Sequence, residues 1–276
     1  MRRVQTFQAL TVATLVAGGM AAFSPAAQAV TIPVSCSASS LVAAVNLANS
    51  TVAADTLTLA SGCTYSMTTA QGLLGANALP IITTPIELIG PATITRSSLL
   101  PFRIAEVSGT GDLTLTTGVA FTNGSALGDG GAILNHGAVT LTVSSLVGNI
   151  ATGNGGGLAN VGTAPAATFT GSSVTGNTAL LLSGGGIYNG AGGTLTTTGL
   201  PMLVSGNLAG LNGGGIAAVN SVATTLTGTT VTNNVAVLGG GVYRQNGVMT
   251  TTGSPISANL ANNCVGSAPA VPSCTA

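Results

Sequence analysis

The sequence predicts an all-β chain wound as a right-handed parallel β-helix, a solenoid of three sheets with an N-terminal capping helix, and three recurring features predict it. A Gly-rich block followed by an apolar residue occurs at Gly130-Gly131-Ala132-Ile133, Gly155-Gly156-Gly157-Leu158, Gly184-Gly185-Gly186-Ile187, Gly213-Gly214-Gly215-Ile216 and Gly239-Gly240-Gly241-Val242. Threonine pairs flanking one residue recur at Thr114 and Thr116, Thr140 and Thr142, Thr168 and Thr170, Thr194 and Thr196, and Thr225 and Thr227. An apolar residue with Asn three positions later places stations at Asn123, Asn149, Asn177, Asn207, Asn234 and Asn259, 25 to 30 residues apart. Self-similarity at this period is the mark of a solenoid or array.

Residues 1–29 read as a secretory signal: Arg2 and Arg3 precede an apolar run, and Ala27-Gln28-Ala29 supplies an Ala-x-Ala cleavage site. The mature chain is expected to be secreted, with no transmembrane segment, because no later stretch is apolar for long enough to span a bilayer. It then forms a single domain over 30–263, comprising a cap (30–65), first coils (66–110) and clear repeats (111–263), followed by a tail (264–276). In the cap, Ser37 stands before Leu41, Ala44, Val45 and Ala48, an N-cap and an apolar stripe at helical spacing. That helix is expected to cover the exposed edges of the first coil, and Asp55-Thr56-Leu57-Thr58-Leu59 reads as the first strand. Cys36 and Cys63 precede the repeats and Cys264 and Cys274 follow them; four cysteines allow three pairings, and the local one suits two ends that need tying down.

Within a repeat, Val139, Leu141 and Val143 alternate with Thr140 and Thr142, the period of a strand with one buried face. Each coil is thus a short Gly-led strand, a Thr-x-Thr strand and a strand ending near the Asn. Six such coils, ~4.8 Å apart, make a prism roughly 30 Å long, right-handed because parallel crossovers are. The glycines suit turns of positive φ or close backbone packing, and the asparagines suit a ladder of stacked amides.

Three arginines (Arg96, Arg103, Arg244) face five acids after the leader, and there is no Lys, which argues against a nucleic-acid partner. No metal site and no cofactor is implied. Glycoside hydrolysis needs two carboxylates roughly 5 to 9 Å apart, and lyase chemistry needs a base. If the chain is an enzyme, Asp112 and Asp129, one coil apart, with His136 are the candidates; otherwise the acids serve turns and His136 a loop. Glu87, Arg96, Arg103 and Glu106 suit surface ion pairs on the early coils.

The Gly-Gly-Ala-Ile and apolar-x-x-Asn signals, from about Gly111 to Asn263, resemble the repeats of the chlamydial polymorphic outer-membrane protein family, whose β-helical passengers are linked to adhesion. This sequence has Ala, Leu, Val or Ile where that family has Phe, and lacks its autotransporter barrel. Ile86-Glu87-Leu88-Ile89-Gly90 and Ala92-Thr93-Ile94-Thr95-Arg96 resemble early coils of pectate-lyase-like β-helix proteins, a resemblance that implies fold. The leading expectation is a non-catalytic secreted or cell-surface protein whose partner is carbohydrate, cell wall or an extracellular protein. A polysaccharide lyase or hydrolase is one alternative. The other is an ice-binding protein, since the threonine pairs resemble the ice-binding face of some β-helical antifreeze proteins.

Overall fold

A computed structural model describes residues 28–71, 76–199 and 201–275; the expected leader lies outside them except for its last two residues. Among the described residues the chain is a parallel β-solenoid of about eight turns with one short helix. A nine-stranded sheet carries the threonine segments, a six-stranded sheet the strands that follow the glycine blocks, and an eight-stranded sheet the strands that lead to the asparagines. All the strand pairings in these sheets are parallel, and each strand pairs with its counterpart one coil on, as Ala138–Thr142 does with Ala166–Thr170.

A fourth, four-stranded sheet departs from the expected three. It is built of two-residue strands such as Ile150–Ala151 and Thr178–Ala179, immediately after the ladder asparagines. Once the coils are stacked in register, the residues leaving each Asn also face their counterparts and must pair their backbone groups. Two residues are too few to show a period in sequence.

The core is a set of inward ranks. In the threonine sheet, Leu57, Leu88, Leu115, Leu141, Phe169, Thr197 and Leu226 stack one on another, all of them buried. Ile94, Phe121, Leu146, Val174, Val204, Val231 and Ile256 do the same in the eight-stranded sheet.

Two buried amide ladders fix the coils at two corners. In the first, Asn149, Asn177, Asn207 and Asn234 each donate from both backbone N–H and Nδ2 to Oδ1 of the next asparagine, at 2.8–3.0 Å. Each Nδ2 also donates backward to a carbonyl, Asn177 to Leu146 at 3.0 Å. Asn259 closes the ladder on Oδ1 of Asn263. Asn123 is not the first rung. Register pairs Phe121 with Leu146, so Gly124 occupies the ladder site and donates its N–H to Asn149 Oδ1 at 2.8 Å. Asn123 is an exposed turn residue at φ 58°. The second ladder was not anticipated: Asn135 donates to Asn160 at 2.7 Å, Asn160 to Asn189 at 2.8 Å, and Asn189 to the Thr224 hydroxyl at 2.9 Å.

Between these ladders sit the glycine blocks. Gly155 takes φ +67°, which disfavours a side chain, while a Cβ on Gly156 would run into the backbone of Thr178 and Gly185. The path from the first glycine to the second ladder never varies: Gly130 to Asn135, Gly155 to Asn160 and Gly184 to Asn189 are each five residues. Slack collects beyond it, with five residues from Asn135 to Thr140 but eight from Asn160 to Thr168.

Both ends are covered. The helix Ala38–Ala48 starts at the Ser37 N-cap and buries Leu41, Ala44, Val45 and Ala48. Asp55–Leu59 is the second strand, not the first, because Thr31–Val34 pairs alongside it and the helix connects the two. Pro33 fits that outer position, since an edge strand can spare an N–H. At the other end the tail lies over the last coil, burying Val271 and accepting a 2.6 Å bond at Pro272 O from Thr251 Oγ1. Disulfides Cys36–Cys63 and Cys264–Cys274 tie the two ends by the local pairing.

Asn177→Ala removes the acceptor for two donors of Asn149 and the donor to Leu146 O. At ~1–3 kcal/mol for each buried group left unpaired, the loss is about 3 kcal/mol or more. The urea midpoint should fall well below that of an Asn123→Ala control, and equal midpoints would refute the ladder's role. Replacing Cys264 and Cys274 together by Ser should speed amide exchange over residues 248–275 and leave the coils around Asn177 protected; uniform acceleration would show that the tail does more than cover one end.

Candidate functional site

The sheet with the most strands, the threonine sheet, presents a regular outward face. Alternation sends Leu113, Leu115 and their counterparts inward and the threonines outward. One outward rank runs Thr114, Thr140, Thr168, Thr196, Thr225, Thr250 in direct register. A second rank contains Thr142 paired with Thr170, Thr170 with Thr198, and Thr227 with Thr252; Thr116, two residues beyond Thr114, occupies the same strand position in the coil before. The hydroxyls of Thr170 and Thr198 are 3.2 Å apart.

The expected pairing of Thr194 and Thr196 with the other threonine pairs is corrected by two residues. Thr194 stacks on Ala166, and Thr196 and Thr198 take the ladder positions. A slip of two keeps every side chain on its own face, and the run Thr196-Thr197-Thr198 fits either way. Thr197, turned inward, satisfies its hydroxyl with that of Thr229 at 2.7 Å. In this register, as in the expected one, both ranks continue through this coil. No charged residue lies in either rank from Thr114 to Thr252.

The acidic candidates do not gather with His136 as a group of three. Asp129 sits in the turn before the strand Ile133–Asn135, and its Oδ1 accepts from the backbone N–H of Asn154 at 2.7 Å. His136 follows that strand at its other end, where Nδ1 lies 2.7 Å from the Val161 carbonyl oxygen and so carries the donated proton. Asp112 begins a strand of the threonine sheet, paired with Pro85 and Ala138.

The acid nearest Asp112 in the lattice of the sheet is Glu87, which stands opposite Thr114 on the adjacent strand. Such diagonal neighbours are ~7–8 Å apart, and both line a shallow groove with Asp55, Thr56 and Thr114. Glu87 Oε1 accepts from the Thr116 hydroxyl at 3.2 Å. Burial raises the pKa of Asp112, whose Oδ1 is enclosed without a hydrogen-bond partner. Aligning Pro85-Ile86-Glu87 with Asp112-Leu113-Thr114 by alternation would have revealed this pairing.

The early charges form less of a surface network than expected. Arg103 is buried, bonded to Asn77 Oδ1 at 2.9 Å, Glu106 Oε2 at 3.2 Å and the carbonyls of Asp129 and Gly130. Its partners make it a brace between coils. Arg96 turns to backbone carbonyls, including Asn123 at 2.8 Å. Among the described residues no three His, Cys, Asp or Glu side chains are placed to hold a metal ion, and no helix is long and apolar enough to cross a membrane. The two disulfides are compatible with an extracellular protein. Neither models of known protein families nor curated proteins give a match to this chain.

Because the folded state raises the Asp112 pKa above its ordinary 3.8, it holds that proton more tightly than the unfolded chain. Stability from this group is therefore full below pH 3.8 and is lost as pH rises through the folded-state titration. Asp112→Asn should be more stable than the parent at pH 7 and equal to it near pH 3. Denaturation showing the same stability difference at both pH values would contradict the assignment.

Proposed function

We propose that this chain is an exported, non-catalytic β-solenoid that uses its threonine face to hold a neutral polysaccharide surface such as a cell wall. The observation that supports this reading is the pair of threonine ranks in register, rows of hydroxyls and methyls that carry no charge from Thr114 onward. Neighbouring rungs repeat at ~4.8 Å and successive ranks lie about 6.6 Å apart along the strand. A face of this kind suits a ligand that itself repeats and carries many hydroxyls, with each contact weak and the sum useful. The structural partners of Asp129 and His136 favour binding over catalysis. The resemblance of the repeats to polymorphic outer-membrane proteins fits an adhesive role.

Ice is the second reading, because its surface is also an ordered array of neutral hydroxyl groups. The register that places Thr196 on Thr168 and Thr198 on Thr170 supports it, since the array runs through this coil without a gap.

Pull-down with insoluble polysaccharides and cell walls is expected to retain the protein, and Thr168→Tyr to weaken retention at least tenfold while Thr175→Tyr on the neighbouring sheet leaves it unchanged. Thermal hysteresis without retention would replace polysaccharide by ice. Depolymerisation of a polysaccharide that Asp112→Asn abolishes would overturn the binding reading in favour of hydrolysis or elimination.

A further inference from the structure

The corner opposite the threonine sheet carries a second continuous surface of opposite character. In the four-stranded sheet and its continuation, Ile150 stacks on Thr178, Thr178 on Leu208, Leu208 on Val235 and Val235 on Leu260. All these residues but Thr178 are exposed, Leu260 by 64%. The next rank is a line of small buried residues, Ala151, Ala179, Ala209 and Ala236. Beyond it the side chains face outward again, with Leu127 79% exposed, Val237 62% and Leu180 51%. Loop residues Leu181 and Leu211 widen the strip. Thr152, Thr178 and Gly210 interrupt it, and it contains no charged residue.

The exposed apolar residues of this strip amount to roughly 850 Å² of accessible surface, beyond the ~300–600 Å² of the largest patch on a typical monomer. That area matches the ~800 Å² each partner of a standard interface covers. We infer that the chain pairs with a second copy of itself through this strip. A straight strip along the solenoid is self-complementary: a two-fold axis at its middle lays it antiparallel on its twin, which closes the assembly as a dimer. A membrane is the less suited occupant. A strip resting on lipid headgroups typically has a row of basic residues at its rim and Trp among its apolar ones; here Arg96 shares a groove with Ile150 at one end of the strip, and the chain contains neither Lys nor Trp.

Pairing at this corner leaves the threonine sheets of both copies uncovered and facing away from each other. The inference does not depend on what the threonine face binds.

The test is sedimentation equilibrium on protein secreted from cells expressing the full chain. A dimer at micromolar concentration is expected. Leu208→Arg should raise its dissociation constant at least tenfold, and Val235→Ser, which introduces no charge, should raise it measurably while circular dichroism stays that of the parent. Thr168→Arg, on the far sheet, should leave it unchanged. A monomer up to 100 μM overturns the proposal, as does a dimer that withstands both corner substitutions or that Thr168→Arg dissolves. Monomers that float with phosphatidylcholine vesicles, and lose that ability on Leu208→Arg, would assign the strip to lipid instead. Leu208→Arg protein that is monomeric yet still retained on polysaccharide separates this inference from the one about the threonine face.

Discussion

From Gly124 to Asn263 the structure depends on holding each coil at one register over the next, and buried side-chain amides do that work. Backbone pairing between parallel strands cannot, because a slip of two residues restores the same hydrogen bonds and the same alternation of faces. The asparagines remove that freedom. The Oδ1 atoms of Asn177, Asn207, Asn234 and Asn259 each accept a backbone N–H and an Nδ2 from the coil before, so a slipped coil would leave several buried polar groups unpaired at once. A second ladder at another corner restrains the middle coils independently.

The surfaces follow from that registration. Because the coils cannot drift, residues of one kind stack in ranks, and chemistry too weak to matter singly is repeated at constant spacing. One side becomes hydroxyl-rich and, beyond the groove of Glu87 and Asp112, uncharged, and the corner across from it becomes apolar. The few charged groups are concentrated toward the N-terminal coils, where most of them serve the fold: Arg103 braces a corner, Asp55 accepts from Thr51 and Val30, and Glu87 receives threonine hydroxyls. Asp112 is the exception, enclosed without a partner for one oxygen.

Much of this was legible in the sequence, for physical reasons. Glycine blocks, buried alternation, the Ser37 cap and the placement of cysteines each express a local requirement, and a local requirement leaves a local pattern. What escaped depends on relations between coils. Asn123 has the right spacing from Ala120, but Phe121 is the residue that fits the core, and this moves the rung to Gly124. The shift at Thr194 was hidden by a run of threonines that satisfies two alignments equally. Asn135, Asn160 and Asn189 lay in plain view five residues after each block's first glycine, yet a single Asn in a strand carries no sign that it is buried. The association of Glu87 with Asp112 required the register of the early coils, which have no glycine block to mark it.

The uneven length of the coils has a consequence for how such a molecule can change. The stretch from glycine to second ladder is constant, and the extra residues of longer coils fall outside it, as in the segment between Asn160 and Thr168 and in that between Thr198 and Val204. Insertions there enter solvent without disturbing pitch, and duplication of a whole coil lengthens both faces by one rung. Size and decoration are therefore separate variables: a lineage can lengthen the hydroxyl array or sprout a new loop beside it, one at a time, while the cross-section stays the same.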